Sequence, residues 1–419
     1  MNPRADTAAA IAASVDALGA GPLGEEGIAR HVAPLFSRVL AAHRAAIYLA
    51  NHSLGRPLDA TAEDVAAAVL LWQSRLGDAW HPWSAEIAAY RARLAALLHA
   101  PRADCVVPKT SAGQGLRAVL NGYDRVPRVV ATRGEFDSID VILKEYGRRG
   151  RIELAFVEPR ADGTFAAADL LAAARGADLV VVSQVMFSTG QMLPELPALI
   201  RAAHAAGARV LLDVYHSLGV VPLDIAALDV DFAIGGSYKY LRGGPGACFL
   251  YVHPRHLDGS FRTLDIGWFA KKDPFDYQRP DPPEFAAGGD ALLESTPPVL
   301  CCYQARAGQL FTLAIGVRRL RDYSLWQQRR MIDLLAAHGI DADGASADRG
   351  AFVVVRHPLA SAWAQALAAR GVATDARGEY LRLCPDLLTT DEELRRGAEA
   401  LVAAMPPAEA RRPPVRRGA

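Results

Sequence analysis

The stretch Leu211-Leu-Asp213-Val-Tyr-His216-Ser-Leu-Gly-Val-Val-Pro222, followed by Phe232-Ala-Ile-Gly-Gly-Ser237-Tyr238-Lys239-Tyr-Leu-Arg-Gly243-Gly-Pro-Gly246, decides the fold. Two short apolar runs, Arg209–Leu212 and Asp231–Ile234, read as strands buried on both faces. Asp213 directly follows the first, at the carboxyl end where open α/β sheets place their ligands. Lys239 comes 26 residues later, after the second run and before a glycine-rich loop.

Outward from this block the pattern repeats. Arg128–Ala131, Ile152–Val157, Asp178–Val182 and Ala247–Val252 are further strand candidates. Helical patterns at Ser138–Arg149, Ala168–Ala174 and Glu195–Ala206 lie between several of them. Strand-helix-strand repetition predicts an α/β fold, a mostly parallel sheet with helices on both faces. The C-terminal third reads as a small α+β lobe. It opens with one long helix over Leu310–His338 and continues with Phe352–Arg356, a helix Ala360–Arg370, Tyr380–Leu383 and a last helix Asp391–Ala404. The expected division is an N-terminal helical segment (1–47), a large domain (48–309), a small domain (310–405) and a disordered basic tail (406–419). Proline-rich Lys271–Asp290 reads as an exposed loop.

Composition excludes several classes. The 419 residues are 51% hydrophobic, enough for a large core, and 46 basic side chains balance 46 acidic ones. That balance argues against nucleic-acid binding, and no run of apolar residues reaches membrane-spanning length. Five scattered cysteines without a CxxC pattern suggest neither a disulfide framework nor a zinc site; no metal is expected, and a cytoplasmic location is.

Alone, Asp213 is a turn-capping residue and Lys239 a surface lysine. Together, at the ends of neighbouring strands, they suit pyridoxal 5'-phosphate. The lysine forms a Schiff base with the aldehyde, and the aspartate keeps the pyridine nitrogen protonated so that the ring acts as an electron sink. His216, three residues after Asp213, either stacks on the ring or hydrogen-bonds the aspartate.

This block resembles the class V aminotransferase group of fold-type I pyridoxal-phosphate enzymes, and within it kynureninase. Tyr48-Leu-Ala-Asn-His-Ser53-Leu-Gly55-Arg-Pro57, Ser183-Gln-Val-Met-Phe-Ser-Thr189-Gly190, Gly267-Trp268-Phe269 and Ser295-Thr296-Pro-Pro298 are similar to further segments of that family. Arg349-Gly-Ala-Phe352 and Tyr380-Leu-Arg382 resemble its small-lobe segments. The resemblance implies a homodimeric hydrolase that takes a small-molecule amino-acid substrate, kynurenine or a relative, and cleaves its Cβ–Cγ bond to release L-alanine and an aromatic acid. It implies that Lys239, Asp213 and His216 hold the cofactor, Thr110 and Ser111 its phosphate, and Phe136 the ring face. Ser183 then lies by the ring oxygen. Tyr238 reaches the phosphate or donates a proton, and Trp268 and Thr296 arrive from the partner subunit. Arg382 takes the substrate carboxylate. A β-lyase or aminotransferase on the same cofactor, and a non-catalytic relative, remain alternatives. The chain departs from the family at His52, Ile139, Gln184, Arg242 and Lys271, positions that bear on the substrate more than on the cofactor.

Overall fold

The computed structural model describes residues 3–405, so the expected tail 406–419 lies outside the described residues. Seven strands form the central sheet: β1 (Val106–Lys109), β2 (Arg128–Thr132), β3 (Glu153–Val157), β4 (Leu179–Ser183), β5 (Arg209–Asp213), β6 (Phe232–Gly236) and β7 (Cys248–Val252). Their spatial order is β1-β7-β6-β5-β4-β2-β3. Strands β3, β2, β4, β5 and β6 run parallel, whereas β7 is antiparallel to both β6 and β1. All six expected strands of the large domain are present. The edge strand β1 was not anticipated, because it is four residues long and carries Pro108 and Lys109. Two apolar layers, one on each face of the sheet, bury nearly every side chain of β4 to β7, which is why those strands read as unbroken apolar runs.

The small lobe carries an antiparallel sheet of β8 (Val353–Arg356), β9 (Asp375–Arg377) and β10 (Tyr380–Leu383), in the order β9-β10-β8. The single helix expected over Leu310–His338 is two helices, Val299–Ile315 and Val317–Ala336. Gly316, at φ +87°, breaks the run and turns the second helix into the small lobe. The final helix, Asp391–Ala404, starts on a reciprocal capping box between Thr390 and Glu393. Ile47–Tyr48 pairs in parallel with Val372–Ala373, so the chain passes through the small lobe's core before it enters the large sheet. No helix among the described residues is long and apolar enough to cross a membrane.

Candidate active site

Four adjacent parallel strands deliver one polar side chain each to the carboxyl edge of the sheet. Ser183 ends β4 and Asp213 ends β5, opposite each other in register. Lys239 lies three residues beyond β6, and Glu135 three residues beyond β2. All four are buried. Burial at the end of a low-dielectric sheet decides their ionisation.

Lys239 is 6% exposed, and burial pulls its amine down from 10.5 to about 7, against the smaller opposing pull of Asp213. Its Nζ lies 2.8 Å from Nε2 of His216. The sequence pointed His216 at the aspartate or at a ring; its observed hydrogen bond is to the lysine. Burial, with Lys239 and Arg382 nearby, holds His216 well below its ordinary pKa, so the imidazole is neutral. Among the described residues its Nδ1 has no hydrogen-bond partner. Asp213 accepts the Tyr215 N–H at 2.8 Å, and burial raises its carboxyl to about 6. It forms no ion pair with Lys239, though each charge favours the other through space. A buried amine whose pKa is brought close to neutrality, in a site with a buried carboxyl, is the donor set that an aldehyde-bearing pyridine cofactor requires, so the residues fit pyridoxal phosphate.

The remaining expected residues fall into two groups. Phe136 and Tyr238 belong to the lysine's surroundings, with ring centroids 5.9 and 5.5 Å from Nζ. Ser183 donates its hydroxyl to Glu135 at 2.6 Å. Thr110 and Ser111 are exposed, at the start of helix Ala112–Leu120. There Ser111 Oγ accepts the Gln114 N–H at 3.1 Å, and the Thr110 hydroxyl donates to Gln114 Oε1 at 3.1 Å. Trp268 donates to the Thr296 hydroxyl at 3.2 Å, and Thr296 lines a cleft of about 500 Å³ together with Thr110. No hydrogen bond or ring contact joins Trp268 or Thr296 to the lysine cluster of the same chain.

Arg382 is buried rather than free. Its Nε donates to Asp375 Oδ1 at 2.8 Å and its Nη2 to Asp375 Oδ2, while Nη1 donates to the Phe187 carbonyl. Asp375 is shared with His52, whose Nε2 lies 2.8 Å from Oδ1. The His52 ring stands 6.3 Å from that of His216 and 5.2 Å from Phe352. Burial lowers His52 to about 4 despite the carboxylate beside it. A polar chain therefore runs from Lys239 through His216, past His52, to Asp375 and Arg382.

Sequence reasoning missed Glu135 and Asp375. Glu135 accepts the Thr132 hydroxyl at 2.5 Å and the Ser183 N–H at 3.2 Å besides the Ser183 hydroxyl. Burial raises it to about 7 against those hydrogen bonds, and Asp213 adds to the rise. An acidic residue just past an apolar strand was the available signal. Ile139, another of the departures from the resembled family, is fully buried in the core. Gln184 stays beside the site, its N–H donating to the Asp213 carbonyl and its Oε1 without a partner among the described residues.

Residues 71–376 match the family model Aminotransferase class-V. The chain is 31% identical to a kynureninase of Pseudomonas fluorescens over 79% of this chain and 82% of that one. It is 35% identical to a kynureninase of Deinococcus radiodurans over half of each chain. A solved complex of the cystine C–S lyase C-DES with its product cysteine persulfide superposes with a TM-score of 0.76, over 90% of this chain and all of that one. At 20% identity this last likeness concerns the fold.

Proposed function

This chain belongs to the aminotransferase class-V family and is a pyridoxal-phosphate enzyme of kynureninase type, and we propose that it hydrolyses the Cβ–Cγ bond of kynurenine or a related amino acid, releasing L-alanine and an aromatic acid. The observation that carries this reading is the buried Lys239 amine, held 2.8 Å from a neutral His216 and within electrostatic reach of the buried Asp213. When bound, pyridoxal phosphate supplies an electron sink that stabilises negative charge on the amino-acid carbons.

Lys239 would hold the cofactor through its aldehyde, and its free amine would take the substrate's α-proton and return it, a task suited to an amine with a pKa of about 7. His216 aims Nζ through its hydrogen bond. Asp213 would pair with the ring nitrogen and keep its proton in place, and Phe136, whose ring lies 5.9 Å from Nζ, would contact the ring, while Ser183 is fixed by Glu135 beside Asp213. Thr110 and Ser111 would present hydroxyls and helix-start amides to the phosphate. Arg382, oriented by Asp375, would bind the substrate carboxylate, and Tyr238 would donate the proton to the β-carbon that becomes the methyl of alanine.

The active assembly in this reading is a homodimer in which Trp268 and Thr296 close the partner's phosphate site; light scattering that found an active monomer would refute it. Five free cysteines suit a reducing cytoplasm. Turnover of kynurenine, 3-hydroxykynurenine and cysteine conjugates by the holoenzyme, measured side by side, tests the reaction. Preference for a cysteine conjugate would replace hydrolysis with β-elimination. An imine absorption that survives Lys239→Ala would overturn the assignment of the lysine.

A further inference from the structure

Four side chains that line the cleft beside Thr110 form one polar relay: Lys109, Glu294, Gln114 and Thr110 itself. Lys109 ends β1 and is 3% exposed. Its Nζ donates to Glu294 Oε1 at 2.6 Å and to the Leu292 carbonyl at 3.2 Å. Glu294 Oε2 accepts from Gln114 Nε2 at 2.8 Å. Gln114 Oε1 accepts the Thr110 N–H at 2.7 Å and the Thr110 hydroxyl at 3.1 Å.

Each link has a fixed polarity. An ammonium group only donates, and the carboxylate paired with it only accepts, so Gln114 must turn its NH₂ toward Glu294 and its oxygen toward Thr110. The reversed amide would set Gln114 Oε1 against Glu294 Oε2 and Nε2 against the Thr110 N–H, two mismatches at once. The Glu294 charge therefore decides which atom Thr110 meets. Pairing a buried lysine needs only one carboxylate oxygen. The Glu294 side chain is 30% exposed, yet its second oxygen is bound to Gln114.

The relay ends two residues before the helix Ala112–Leu120. Gln114 Oε1 takes two donors from Thr110, and they are not equivalent. The N–H bond fixes the backbone of the loop. The hydroxyl bond is the spare one, because a hydroxyl can rotate to a phosphate oxygen while the N–H stays held. Lys109 balances the Glu294 carboxylate, so an acid in this cleft does not stand as an unpaired negative charge facing a phosphate.

We propose that Glu294 is a positioning residue for the cofactor's phosphate: acting through Gln114, it sets Thr110 to receive it. The proposal rests on the placing of the phosphate at Thr110 and Ser111. Glu294→Gln keeps the volume and reverses the relay. The new amide oxygen must stay with Lys109, its NH₂ then meets Gln114, and Gln114 must turn its own NH₂ onto the Thr110 N–H.

The test titrates the full-length protein, stripped of cofactor, with pyridoxal phosphate and with unphosphorylated pyridoxal, and reads imine absorption. Glu294→Gln should raise the dissociation constant for pyridoxal phosphate about tenfold. Pyridoxal should bind parent and variant equally, since it carries no phosphate. In a Gln114→Ala background Glu294→Gln should add nothing, because its path to Thr110 is already cut. Unchanged affinity for pyridoxal phosphate would overturn the proposal. So would an equal loss for pyridoxal, which marks a merely structural ion pair, or a full additional loss in the Gln114→Ala background. If Glu294→Gln does not fold, Gln114→Met at its half-buried position carries the same two-ligand comparison. A parent that holds pyridoxal phosphate no more tightly than pyridoxal would refute the placing of the phosphate at Thr110 and Ser111, and the proposal with it.

Discussion

Replacing Glu135 by glutamine separates the ionisation of this buried acid from its shape. The amide oxygen keeps the Thr132 hydroxyl and the Ser183 N–H, and the amide nitrogen donates to the Ser183 hydroxyl oxygen, so the local packing survives. What changes is the proton. In the folded, cofactor-free protein the carboxyl sits at about 7 instead of 4.5, chiefly through burial. Because the folded value lies above the unfolded one, the folded state binds the extra proton between these limits. The associated stability is complete below pH 4.5 and is lost as pH rises through about 7. At 1.36 kcal/mol per pH unit, the full loss is on the order of 3 kcal/mol. Asp213, raised to about 6, slopes stability the same way, but it is present in both proteins and cancels in their difference. Urea unfolding of the cofactor-free parent and of Glu135→Gln, at matched pH values from 5 to 8, measures that difference. The glutamine variant should gain steadily on the parent as pH rises, by about 2–3 kcal/mol across the range. A flat difference, or one that favours the parent at high pH, would show that Glu135 is ionised in the fold and that Ser183 and Thr132 serve an anion.

Asp213→Ala should remove turnover far more completely than it removes cofactor, with a barrier increase of about 3 kcal/mol or more; near-parental turnover would displace Asp213 from the ring nitrogen. Arg382→Lys should lower kcat/KM by roughly ten- to a hundredfold at unchanged cofactor absorption, because one ammonium cannot keep both Asp375 oxygens and still offer a planar pair. Unchanged kinetics would leave Arg382 a purely structural partner of Asp375. Gly55→Ala should weaken both folding and activity, since a Cβ there would stand 2.0 Å from the Lys239 carbonyl oxygen. The strain should cost about 1–3 kcal/mol in thermal or urea unfolding, and a parental midpoint would mean that the lysine loop yields freely.

What was legible from sequence, and what was not, follows from how far each interaction reaches. Strands β4 to β7 were readable because burial on both faces makes the local sequence uniformly apolar, and Asp213 was readable because a carboxylate interrupts that run at its end. By the same logic Glu135 stands three residues past β2, yet the intervening Arg133 and Gly134 make the segment read as a solvated turn, and only the fold shows Ser183 closing over it. The helix over Leu310–His338 was read as continuous because its apolar spacing resumes after Gly316; periodicity measures which faces are buried, whereas the break lies in one backbone angle. Arg382 illustrates the harder limit. Alternation in Tyr380-Leu-Arg382-Leu placed it on the face opposite its apolar neighbours, and β10 confirms a strand there. Its state depends on Asp375 across a hairpin, on the Phe187 carbonyl, and through Asp375 on His52, which lies 323 residues away in the chain. No local pattern encodes that pairing. It follows from the parallel contact of Ile47–Tyr48 with Val372–Ala373, which carries the N-terminal segment past the small lobe and sets His52 between Asp375 and His216. His52, one of the positions at which the chain departs from the resembled family, thus acts on the carboxylate that orients Arg382, and in the proposed reading it bears on how the substrate is held.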